Sequence, residues 1–85
     1  MRTMEKAAAC EIAFIPIGIN DYREKIRQVL KIIEDSGLEY QVGHLSTVVR
    51  GDRSRVLAFI SNLYLAMDDI CDFSMDVKLS NLCGC

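Results

Sequence analysis

Hydrophobic and polar residues alternate along this chain with two periods, and the switches between them mark six elements. The run "CEIAFIPI" (10–17) is apolar on both alternating sides, with Ile12 and Phe14 on one and Ala13, Ile15 and Ile17 on the other. That pattern predicts a central strand covered on both faces. Pro16 cannot donate a ladder hydrogen bond and so belongs near the strand's end. In "NDYREKIRQVLKIIEDSG" (20–37), Tyr22, Ile26, Val29, Leu30 and Ile33 recur at helical spacing. Asp21 or Asn20 offers the N-cap, and Gly37 stands just past the C-terminal end. "LEYQV" (38–42) returns to period two, with Leu38, Tyr40 and Val42 inward and Glu39 and Gln41 outward.

Gly43 then allows a tight reversal into "HLSTVVR" (44–50), which predicts a hairpin. In this second strand Leu45, Thr47 and Val49 share one face, and His44, Ser46, Val48 and Arg50 the other. "GDRSRVLAFISNLYLAMDDI" (51–70) is again helical, with Val56, Phe59, Ile60, Leu63, Tyr64 and Met67 as a wide stripe. "DFSMDVKLS" (72–80) alternates strictly, with Phe73, Met75, Val77 and Leu79 against Ser74, Asp76, Lys78 and Ser80.

The order β-α-β-β-α-β, with right-handed crossovers and a central hairpin, predicts an α+β ferredoxin-like sandwich. Its antiparallel sheet has strand order 4-1-3-2, with two helices on one face. The domain spans residues 10–80, after a lead of residues 1–9 and before a tail of residues 81–85. A first strand that is apolar on both sides asks for cover on the bare sheet face. A second copy of the chain is the simplest cover, because 85 residues offer no third layer.

Composition narrows the function classes. The 51% apolar content is that of a folded domain, and 85 residues make one of them. A net charge of -2 gives no electrostatic case for nucleic acid or for an anionic membrane. The middle strands also present few aromatics for base stacking, Phe14 being the one the first strand offers. No apolar run approaches the roughly 20 residues that span a bilayer, and "MRTMEKAAAC" lacks a signal-peptide core. The expected location is the cytoplasm, where Cys10, Cys71, Cys83 and Cys85 remain free thiols.

Catalytic signatures are sparse, and the expectation is a protein that is not an enzyme and needs no cofactor. The chain has one histidine, no nucleophile-His-acid order and no phosphate-binding glycine loop. His44 is either a base or ligand, or a solvated residue beside a turn. Asp68, Asp69 and Asp72 read as an acidic turn after the second helix. The fold would bring Cys10 to the end of the sheet that holds Cys83 and Cys85, either as soft-metal ligands or as an oxidation-prone tail.

Taken in order, "IAFIPIG", "VLKIIEDSGLEYQVGHLSTVVRG" and "DVKLS" resemble the small thiamine-binding protein family, stand-alone ferredoxin-like proteins once labelled a domain of unknown function. The likeness covers roughly residues 10–80. It rests on the Pro16-Ile17-Gly18 step, on Glu34, Ser36, Gly37, Leu38 and Tyr40, and on Thr47, Val48, Val49 and Gly51. The family's acidic residue before that last glycine is Arg50 here, and its Asp-rich, Arg-containing end is "LSNLCGC".

The resemblance implies non-catalytic, reversible binding of thiamine or of its hydroxymethylpyrimidine part by a homodimer or homotetramer whose sheets associate. Thr47 is then a ligand contact, or else an ordinary core hydroxyl bonded to nearby backbone. Ser46, Ser74 and Asp76 are polar contacts from the other face, or else a solvated or subunit-facing surface. Arg50, if it lines the pocket, favours a neutral pyrimidine or an anion over the thiazolium cation. The alternative function is a protein-interaction or assembly module of the same fold without a small-molecule ligand.

Overall fold

Six elements follow one another in the computed structural model, which describes residues 6–18 and 20–81. They are β1 (Ala7–Ile17), α1 (Tyr22–Asp35), β2 (Glu39–Val42), β3 (Thr47–Asp52), α2 (Arg53–Asp68) and β4 (Asp72–Ser80). The sheet order is β2-β3-β1-β4 with every pair antiparallel, the ferredoxin-like arrangement that the sequence predicts.

Strand β1 starts at Ala7, three residues before the apolar run that signals it. Alanine has little β propensity, so this extension comes from its neighbours and not from its own pattern. Ala7, Ala8 and Ala9 pair with Asp52, Gly51 and Arg50 of β3, and the Arg53 N–H donates to the Lys6 carbonyl at 2.8 Å.

Side chains on one face of the sheet meet the helices. Ala8, Cys10 and Ile12 of β1 and Val49 of β3 are buried there against Val29 and Ile33 of α1 and Val56, Phe59, Leu63 and Met67 of α2. Phe14 is on this side too, stacked on Phe73 with ring centroids 4.8 Å apart. It is therefore a packing residue and not a ring offered to the bare face. Burial pushes the Cys10 thiol above its ordinary pKa, with a smaller opposing effect from a backbone hydrogen bond at Val49. A protonated thiol is a poor metal ligand. Cys83 and Cys85, its expected companions, lie outside the described residues. Cys71 packs against the core, partly buried.

The corner after α1 is built by three residues. Ser36 donates its hydroxyl to the Ile33 carbonyl at 2.6 Å and accepts the Leu38 N–H at 3.1 Å. Gly37 takes φ +75°, a conformation that side chains with a Cβ adopt only with strain. Arg55 of α2 donates to the Ser36 carbonyl at 3.2 Å, tying the end of α1 to the start of α2. Leu38 then drops into the core over Gly51, where an added Cβ would come within 2.6 Å of the Leu38 Cδ2. Both helices begin on an aspartate: Asp21 accepts the Glu24 N–H and Asp52 accepts the Arg55 N–H at 2.9 Å.

Two expectations about inward faces need correction. Tyr40 and Val42 point to the helix side, as the alternation requires, yet both are exposed, because β2 is an edge strand that α1 does not fully cover. Leu45 is not inward at all. Strand β3 begins only at Thr47, so His44 and Leu45 form the hairpin tip, and Leu45 is 91% exposed. Among the described residues no non-glycine residue has positive φ, and neither does Gly43, so the tip is not the tight primed turn of a two-residue hairpin. Gly43 serves here by its smallness. Its N–H donates to the Ser46 carbonyl at 2.8 Å, and a Cβ would lie 2.9 Å from that same oxygen.

Candidate functional site

Alternation within β3 sends Thr47 and Val49 toward the helices, and Val48 and Arg50 toward the bare face. Thr47 thereby becomes the one buried polar or charged residue among those described. It sits opposite Ile12 on β1 and Val42 on β2. Among the described residues no hydrogen-bond partner meets its hydroxyl.

That hydroxyl borders a cleft of about 260 Å³ between α1, β1 and the hairpin tip. Ile12, Phe14, Ile26, Leu30 and Ile33 make apolar walls, and the Gly43–Ser46 tip forms the rim. Ligand pockets run from about 300 to 1,000 Å³, so this one suits a single aromatic ring better than a two-ring compound. No Asp, Glu, Lys or Arg is among its lining residues. An ion taken fully inside would lose hydration and find no counter-charge. A neutral heterocycle with a donor or acceptor for Thr47 would fit.

The five candidate site residues do not converge. Thr47 and Ser46 border the cleft. The Ser46 hydroxyl, however, donates to Glu11 Oε2 at 3.0 Å, a carboxylate on the bare face of β1. Arg50, Ser74 and Asp76 are on that bare face, across the sheet from Thr47. Arg50 is held there by Glu39, its cross-strand neighbour, at 2.6 Å. It is therefore not a charge lining the cleft. Arg50→Gln is expected to change affinity for a cleft ligand by less than about twofold, because a paired, solvated charge across the sheet is screened. Titration of both proteins side by side checks this, and a large change would relocate the site to the bare face.

Two further residues join the picture. His44 borders the cleft at its exposed rim, so it is placed to touch a ligand from outside. Glu11 interrupts an otherwise apolar run, and that interruption was its only signal in the sequence.

Fold and strand order define a ferredoxin-like α+β domain, and among the described residues the cleft beside Thr47 is ring-sized and lined by no Asp, Glu, Lys or Arg. The chain belongs to the YKOF-related family, whose sequence model matches residues 7–84. Several solved structures share the fold. A Thermotoga maritima protein named for a proposed role in thiamine biosynthesis or salvage has a TM-score of 0.78 at 21% identity, covering 92% of this chain and 86% of that one. A Bacillus cereus domain of unknown function, DUF77, has a TM-score of 0.79 at 16% identity, covering 99% and 84%. A Streptococcus pneumoniae protein has a TM-score of 0.78 at 17% identity, covering 87% and 84%. No curated protein matches the sequence.

Proposed function

We propose that this protein binds a thiamine-related pyrimidine without transforming it, as a homodimer or homotetramer in the cytoplasm. The observation that carries the reading is the cleft itself: apolar and aromatic walls, no charged lining residue, and the Thr47 hydroxyl at its border. The thiamine-related name of the Thermotoga maritima neighbour supports the same ligand class. Hydroxymethylpyrimidine fits as a neutral ring that supplies an amine and ring nitrogens to Thr47. Thiamine would enter pyrimidine first, leaving its thiazolium at the rim beside His44 and in water. Ser46 contributes at the rim once its hydroxyl leaves Glu11. Arg50, Ser74 and Asp76 reach a ligand in this cleft from no direction within one chain.

A non-catalytic role is supported by the cleft's chemistry. Among the described residues His44 is the one titratable side chain lining it, and no acid–base pair faces the ring there. The bare sheet face supports self-association, because Ile15 and Ile17 are each 50% exposed there. The alternative, an interaction module without a small ligand, draws its support from Leu45 at the hairpin tip.

Calorimetric titration with thiamine and with hydroxymethylpyrimidine tests the proposal. Heat of binding with the pyrimidine at least as tight as thiamine is the expected result. No heat and no rise in melting temperature at millimolar ligand would leave the interaction module as the better account.

A further inference from the structure

Strand β4 forms one edge of the sheet, and among the described residues no strand pairs with its outer side. Edge strands of monomeric proteins are usually short, bulged, interrupted by proline, or charged on the inward side. Charged side chains on the edge are a further such device, and β4 does carry Asp72, Asp76 and Lys78 on its bare-face side, but it has none of the others. It runs for nine residues without proline or glycine, keeps an unbroken register with β1, and has only Phe73, Met75, Val77 and Leu79 on its helix side.

Those helix-side residues are not all covered. Val77 and Leu79 are 38% and 49% exposed. The apolar strip continues onto α2. Leu57 borders the same small cavity as Leu79, and Tyr64 meets the Phe73 ring edge-on at 5.4 Å. Both are about half exposed on this flank. On the bare-face side, Asp76 and Lys78 bracket Val77 and are exposed, and among the described residues neither enters an ion pair.

We propose that a second copy of this chain adds to β4 as an antiparallel strand, about a twofold axis through Val77. In that register residue 77 − n faces residue 77 + n of the other copy. Asp76 then faces Lys78 of the second copy, Lys78 faces its Asp76, and Met75 faces its Leu79. Two cross-strand ion pairs form on one side, while the exposed apolar strip is covered on the other. Neighbouring registers are worse. An axis at Asp76 or at Lys78 sets like charges against each other. An axis at Met75 pairs Lys78 with Asp72 but carries Leu79 past the end of the opposing strand. The "MDVKL" sequence is thus complementary to itself in one register. This edge is separate from the bare sheet face and from the cleft, and it assigns Asp76 to assembly instead of ligand contact. It also stands whether or not a pyrimidine binds, since the titration above reads the ligand and the experiment below reads assembly.

The test uses Asp76→Lys and Lys78→Asp, alone and mixed. Each variant alone replaces two attractive pairs with two repulsive ones, and its self-association is expected to weaken by at least about tenfold. An equimolar mixture restores association, because each cross-strand pair is again opposite in sign. Sedimentation velocity reads all three samples, and an unchanged circular-dichroism spectrum of each variant shows that the fold is intact. Single variants that assemble like the parent would overturn the proposal. So would a mixture no better associated than its components, or a parent chain that is monomeric at tens of micromolar.

Discussion

Replacing Leu63 with alanine is expected to destabilise the domain by about 3 kcal/mol, within the range of about 2–5 for a buried leucine. Leu63 is fully buried in α2, within a core built from β1, β3 and both helices. Truncation removes its contacts and leaves a cavity that close-packed neighbours cannot fill. A chain of 85 residues has roughly 4–13 kcal/mol of stability in total. The substitution therefore removes about a fifth of it at the least. Urea unfolding measures the change as a lower midpoint with an unaltered slope. Leu65→Ala is the control. That residue is 60% exposed on the same helix, and its loss is expected to cost less than about 0.5 kcal/mol. Equal effects at the two positions would contradict the packing of α2 described above.

The second large effect is on binding. Thr47→Val keeps the side-chain shape and removes the hydroxyl. A pyrimidine bound in the cleft would lose one hydrogen bond, and its affinity is expected to fall by about tenfold, equivalent to about 1.4 kcal/mol. Folding stability should change little, because the hydroxyl has no partner among the described residues to lose and opens onto the cleft. The two readouts moving apart is the informative result: weaker binding in an equally stable protein. Unchanged affinity would remove Thr47 as the ligand's contact. Lost stability would instead show an ordinary core hydroxyl satisfied within the fold.

Much of this architecture was legible from periodicity alone. The strict alternation of β4 and the stripe of α1 each point to one structure, since period 2 and period 3.6 place the same residues on different faces. The Ala7–Ala9 extension was not legible, because three alanines carry no pattern and pair only through partners distant in sequence. The hairpin tip was misread for a related reason. Alternation through His44 and Leu45 looks like a strand, while the turn is set by the close approach of Gly43 and Ser46.

The site was half legible. Alternation separates Thr47 from Arg50 by itself, so one pocket within one chain could not contain both. The cleft was harder to read, since it depends on how α1 leans over an edge strand that it leaves partly bare. Glu11 and the cross-strand Arg50–Glu39 pair also needed the register between strands.

The central claim is that a neutral pyrimidine occupies the cleft beside Thr47. Backbone amide shifts followed by NMR while hydroxymethylpyrimidine is titrated in test this most directly. Progressive shifts concentrated at Phe14, Leu30, Val42, Gly43 and Thr47, with Arg50, Ser74 and Asp76 little changed, are the predicted result. Shifts confined to the bare face of the sheet, or none at millimolar pyrimidine, would contradict it.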